Sequence, residues 1–167
     1  MRRAGVGFLV LAVACTATRQ TSGQWIPGKS LTPNPKILLL HVTGKDPEGN
    51  QKMTGALLGI LGQKGFRVVL STAGQESPAA ALDHAAGDGF DYVLGSNLPL
   101  WGDTVELTVT LFEVSSRASV ASATHHASKR PGHWPSDPED FAPELADCSL
   151  ARIFGWAPKV YTGDPPH

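Results

Sequence analysis

Residues 36–70 read KILLLHVTGKDPEGNQKMTGALLGILGQKGFRVVL, and how this stretch is read decides the fold. Lys36 to Thr43 is a short continuous apolar run flanked by Pro35 and Gly44. That length and that punctuation predict a buried central strand, not a helix. Asp46-Pro47 supplies an N-cap acceptor followed by a residue suited to the first helical position. Met53, Leu57, Leu58, Ile60 and Leu61 then recur at helical spacing, and Gly65 fits the residue just past a helix end. Phe66 to Leu70 is a second apolar run, expected as another buried strand.

The same grammar repeats downstream. Ser77-Pro78 opens a second helix with Ala81, Leu82, Ala85 and Ala86 on one face, and Gly87 and Gly89 end it. Asp91 to Leu94 is a third strand. Strand, helix, strand, helix, strand favours parallel pairing through right-handed crossovers. The period then changes. Val105, Leu107, Val109 and Leu111 alternate with Glu106, Thr108 and Thr110, which is a half-buried strand. Ser115-Ser116-Arg117 is a turn, and Ala118 to His126 is the partner strand, low enough in apolar residues to be an edge open to strand addition. Pro131 to Phe141 is expected as a loop and Glu144 to Phe154 as a closing helix stopped by Gly155. The expected class is α/β, with a mixed β-sheet from βαβαβ followed by an antiparallel β-hairpin and a C-terminal helix.

Outside this domain, the first residues carry an address. Arg2 and Arg3 precede an uncharged, mostly apolar run from Ala4 to Ala14, 11 residues long. A membrane span needs about 20 apolar residues, so the run fits a cleaved secretory leader. Leu11-Ala12-Val13-Ala14-Cys15 resembles the lipobox of bacterial lipoproteins, which implies cleavage before Cys15 and a lipid on its thiol. Acylation is a nucleophilic step at sulfur, so only cysteine serves there. The division expected is residues 1–14 as lipoprotein signal peptide, 15–35 as flexible tether, 36–155 as one α/β domain and 156–167 as a Pro-rich tail. Thr16 rather than aspartate after the cysteine resembles an outer-membrane sorting signal. Membrane contact through the lipid and an envelope protein as partner follow as expectations.

Composition bounds the rest. Formal net charge is −1, and loss of Arg2 and Arg3 with the leader lowers it by two, to −3. With acids and bases mixed along the chain there is no basic patch for a nucleic acid. Cys148 is the other of two cysteines and sits among Leu145, Leu150 and Ile153, so it reads as a small buried hydrophobe. Ser71-Thr72-Ala73-Gly74 follows a strand but matches no phosphate-binding glycine pattern, and no nucleophile-elbow, zinc-protease or paired-carboxylate motif is present. No enzyme activity and no cofactor are expected.

Two residue sets remain as candidate sites. Trp101 and Trp134 fall in expected loops and are candidate partner contacts, since exposed aromatics anchor interfaces; packing over the sheet edge is the other reading of both. His125, His126 and His133 offer imidazoles for a metal or small ligand, with Asp137, Glu139 and Asp140 following. Adjacent strand residues point to opposite faces, which separates His125 from His126, and Asp137-Pro138-Glu139-Asp140 reads equally as a helix start. Asp83 and His84, neighbours on a helix, do not face each other and form no dyad. Gly55, Gly59 and Gly62 are expected to let the first helix pack closely on the sheet.

The stretches GFDYVLGSNLPLWGD, from Gly89, and VELTVTLFEVSSRASVASAT, from Val105, resemble a family of bacterial lipoproteins known as domain of unknown function 4823. More broadly they are similar to the TolB N-terminal and curli-secretion lipoprotein type of envelope domain. The likeness covers roughly Lys36 to Phe154. The family's Trp-acid motif falls on Trp101 and Asp103, shortened here because the chain runs straight into the next strand. Its motif before the last helix is met only in part, by Gly132 to Pro138. The resemblance implies an α/β envelope domain and assigns no activity.

Overall fold

A computed structural model describes residues 22–25, 31–128 and 138–159. Among these residues the elements in chain order are β1 (Ser22–Trp25), β2 (Lys36–Leu39), β3 (Thr43–Gly44), α1 (Pro47–Gln63), β4 (Arg67–Leu70), α2 (Pro78–Gly87), β5 (Tyr92–Leu100), β6 (Thr104–Glu113), β7 (Ala118–Ser128) and α3 (Pro138–Phe154). They build one mixed sheet in the order β1-β7-β6-β5-β2-β4, with β3 also paired to β5. The pairs β2–β4 and β2–β5 are parallel, and β5–β6, β6–β7 and β1–β7 are antiparallel. The expected α/β class with its βαβαβ core, hairpin and terminal helix is the observed one.

The local signals explain the helix ends. Asp46 accepts from the Gly49 amide at 2.7 Å, capping α1, and Pro47 occupies its first turn. At the other end Phe66 N–H reaches Leu61 O at 3.1 Å and Gly65 N–H reaches Gly62 O at 3.0 Å. This is the double hydrogen bond that a left-handed residue closes, and Gly65 supplies it with φ 81°. Ser77 caps α2 through the Ala80 amide, and Gly155, φ 79°, ends α3.

Helices α1 and α3 lie together on one face of the sheet and α2 lies on the other. The larger core forms under α1 and α3 and holds Ile37, Leu39, Leu57, Leu61, Leu94, Leu107, Leu111, Leu145 and Leu150, all essentially without solvent contact. Burial of each such side chain contributes about 1.5–3 kcal/mol. A smaller cluster of Leu38, Leu40, Ala81, Leu82, Ala85 and Val93 lies under α2.

Several expectations change. The run Lys36 to Thr43 is not one strand: β2 stops at Leu39 and β3 resumes at Thr43. In the gap the Val42 amide leaves the ladder and donates to Thr54 Oγ1 of α1 at 3.0 Å. Strand β4 is not buried but an edge, alternating exposed and half-buried, with Val69 45% exposed. The hairpin strand β7 is not an open edge, because β1 covers it with Ser22 opposite Thr124 and Trp25 opposite Ala121. Four residues of the expected tether therefore belong to the sheet. Helix α3 begins at Pro138, earlier than Glu144, and Pro143 sits inside it. Pro138 to Phe141, expected as loop, are its first residues. Gly55, Gly59 and Gly62 are on the outer side of α1, where an added Cβ meets nothing within 4 Å. Met53, Leu57, Ile60 and Leu61 make the contact with the sheet instead.

Within the described residues the expected tail is tied to α3. Asp147, 1% exposed, accepts from Trp156 Nε1 at 3.1 Å and from the Lys159 amide at 2.6 Å. The Trp156 ring stacks on Phe154 with centroids 5.5 Å apart, and Phe66 packs 4.7 Å from Phe154. Cys148 is buried, in agreement with its apolar neighbours.

Candidate functional site

The polypeptide converges at the carboxyl end of the parallel strands, where open α/β sheets hold their ligands. Strand β2 leaves there through His41 and Val42, β3 through Gly44, and β4 through Ser71, while the first turns of α1 rise beside them. Between α1 and the β4–α2 connection is a cleft of about 640 Å³, walled by Val42, Leu58 and Leu70 and edged by His41, Asn50 and Gln75.

The wall is built by side chains substituting for missing backbone pairs. Thr54 Oγ1 accepts from Val42 N and donates to Asn50 O at 2.7 Å, bridging the strand gap to the helix. Asn50 Nδ2 donates to Gly44 O at 3.1 Å. His41 Nε2 donates to the Ser71 carbonyl oxygen at 3.0 Å. Gly44 is required here: a Cβ would run into the Leu98 carbonyl and lie 2.6 Å from Asn50 Oδ1. Asn50 Oδ1 itself is buried and has no hydrogen-bond partner.

Trp101 stands at this same end, on the far side of α1's first turn. Strand β5 carries an irregularity between Asn97 and Leu100, which turns its last residues over the helix start. The Trp101 ring then lies against Gly49, so closely that a Cβ on Gly49 would sit 2.6 Å from Cγ and Cδ2 of the indole. Trp101 is half-buried, and Leu100 beside it is 46% exposed. Trp101 thus combines helix packing with an apolar exposed margin. Trp134, His133 and Cys15 lie outside the described residues.

The histidine pair is split by the sheet. His125 points under α3, with Nδ1 3.2 Å from Ser149 Oγ. Burial, together with the charges of His126 and Arg152, pushes its pKa down to about 4. His126 points to the opposite face and pairs with Glu106 at 3.2 Å. The two imidazoles do not meet, and among the described residues no group of three or more His, Cys, Asp or Glu side chains could hold a metal ion. Asp83 and His84 also turn apart, Asp83 to Arg117 at 2.6 Å and His84 to Glu76 at 2.7 Å. Among the described residues no helix is long and apolar enough to cross a membrane.

Sequence reasoning missed Gly49, Asn50 and Thr54. Their signal was there: a glycine, an asparagine and a threonine inside an amphipathic helix are each poor helix formers, and such residues need a tertiary reason.

The fold is that of a class of bacterial α/β domains. The PelC dodecamer of Paraburkholderia phytofirmans matches with a TM-score of 0.64 and 21% identity, over 80% of this chain and 97% of that one. The C-terminal domain of LpoB from Escherichia coli matches with a TM-score of 0.50 and 20% identity, over 62% of this chain and 90% of that one. TolB from Acinetobacter baumannii overlaps less well, at a TM-score of 0.47. No family model and no curated protein matches the sequence.

Proposed function

We propose that the chain is a lipid-anchored envelope lipoprotein whose α/β domain is a non-catalytic interaction module. Its acylated Cys15 holds it at the outer membrane, facing the periplasm, and the partner is an envelope protein or further copies of the chain. The observation that carries this reading is a lipobox-like stretch at Leu11 to Cys15 in front of a domain that overlays 97% of PelC. PelC is a dodecamer, which supports self-association as one form the module takes. Trp101 and Trp134 are the contact residues of this reading, Trp101 together with the exposed Leu100 beside it.

The test is the intact mass of the mature protein from detergent-solubilised membranes, beside a Cys15→Ser control. A chain beginning at Cys15 with added acyl mass, absent from the control, is expected. An unmodified chain in the soluble fraction would refute the anchor. Partner capture by crosslinking then separates a foreign envelope protein from copies of the chain. If neither crosslinks, the module reading fails.

A further inference from the structure

Strand β1 sets how far a domain anchored at Cys15 can travel. At Ser22 the chain is already in the sheet, paired in unbroken register with β7 as far as Trp25. The seven peptide steps from Cys15 to Ser22 span at most about 25 Å when fully extended. Without that pairing the next fixed point among the described residues is Thr32, whose amide donates to Tyr92 Oη at 3.2 Å. The chain from Cys15 to Thr32 allows about 60 Å. The register then places the candidate contact residues. Ser22, Thr124, Thr108 and Asn97 stand in one row across β1, β7, β6 and β5. Three strand spacings cover about 14 Å. Trp101 lies four residues past Asn97, at most about 13 Å along the strand direction. The two displacements are at right angles, so Trp101 and Leu100 are about 20 Å from Ser22 and at most about 45 Å from Cys15.

We propose that β1 holds the lipid-anchored domain at the membrane surface, and that its partner is a protein whose docking face lies within about 45 Å of the lipid. The proposal names the partner class of the interaction module and rests on the reading of Cys15 as its anchor. A tether acts through effective concentration, which falls steeply as the tether lengthens. By taking up chain that would otherwise be slack, β1 concentrates the module near the bilayer and puts distant partners out of reach. Protection of the β7 edge is the ordinary use of such a strand. That use requires no particular separation from Cys15 and would be served equally by a strand at the end of a long leader. The short separation is what confines the domain.

The experiment places the acylated mature chain on a supported phospholipid bilayer and reads the height of its protein layer by neutron reflectometry. The parent layer is expected against the headgroups. Gly23→Pro with Gln24→Pro withdraws β1 amides from the ladder and should spread the layer outward by up to about 35 Å. A Gly/Ser insertion of about ten residues between Thr18 and Arg19 should do the same with β1 still paired. A double-proline layer that coincides with the parent's would overturn the role of β1. Amide hydrogen exchange of the parent covers the case of a variant that does not fold. Protection at alternate amides of Ser22–Trp25 is expected, and free-peptide exchange at all of them would overturn the proposal. In cells, a photoreactive phenylalanine analogue in place of Leu100, which is 46% exposed, reads the partner. The insertion dilutes the module at the surface, so the yield of crosslinked protein should fall roughly 3- to 4-fold. An unchanged or rising yield, or no product at all, would overturn the membrane-surface partner. A mature chain without acyl mass that leaves the bilayer refutes the anchor reading and this proposal together. A bilayer-bound chain whose parent and double-proline layers coincide refutes this proposal alone.

Discussion

Gly49→Ala is the most informative substitution in the first turn of α1. In an ordinary helix interior, alanine for glycine stabilises by about 1 kcal/mol, and in the first turn by roughly half of that. Here the new Cβ would lie 2.6–2.8 Å from three atoms of the Trp101 ring. Such a contact does not exist in real structures, so the indole must move or α1 must lift off. Overpacking of this kind costs about 1–3 kcal/mol. The contact outweighs the propensity gain, and Gly49→Ala should lower stability by roughly 0.5–2.5 kcal/mol. With Trp101→Ala in the background, the clash disappears and only the propensity remains. The same change should then be neutral or stabilise by up to about 0.5 kcal/mol. The coupling between the two positions is therefore about 1–3 kcal/mol. Urea unfolding followed by circular dichroism measures it in four proteins without relying on tryptophan emission. Equal effects of Gly49→Ala in both backgrounds, or a gain in the parent chain, would refute the argument that the indole is seated on the helix. The cycle also bears on function, because a displaced Trp101 should change partner crosslinking if its exposed margin is a contact surface.

Other outcomes follow from the same geometry. Asp147→Ala orphans both Trp156 Nε1 and the Lys159 amide. It should cost about 2–3 kcal/mol and free the tail, read as faster trypsin cleavage after Lys159. His125 has a folded-state pKa of about 4 against an ordinary 6.5. Above pH 6.5 neither state holds the proton; as pH falls from 6.5 to 4 the unfolded chain takes it up first and stability is lost. After allowance for the ring's partial exposure the loss is about 1–2 kcal/mol, and it should shrink in His125→Gln unfolding curves over that window. Removal of Ser22–Trp25 uncovers the β7 edge at Ala121 to Thr124. Light scattering should show new self-association, and a chain as monodisperse as the parent would mean that β1 does not protect that edge. Leu107→Ala, at a site with no solvent contact, should lower stability by about 2–5 kcal/mol in thermal unfolding.

Much of the architecture is readable from short-range patterns, because those patterns act within a few residues. Asp46-Pro47, Gly65, Ser77-Pro78 and Gly155 set helix ends through bonds between residues at most five apart. The alternation from Val105 to Leu111 assigns the buried side of β6 by itself, since successive side chains point to opposite faces. The same rule separates His125 from His126 before any coordinates are known.

What needed the tertiary structure was every property that depends on which distant segment lies alongside. Arg67 to Leu70 has the apolar look of an inner strand, but the crossovers place it outermost, where Val69 meets solvent. Ala118 to His126 looks like an edge, yet a strand from nearly a hundred residues earlier covers it. Gly49 becomes obligatory only when the end of β5 lays Trp101 on it. Asn50 becomes a buried unmet acceptor only when Gly44 takes its other amide atom. Local sequence determines which residues prefer a helix, a strand or a turn. Pairing order, edges and clefts arise from long-range contacts whose loop-closure entropy no local pattern encodes.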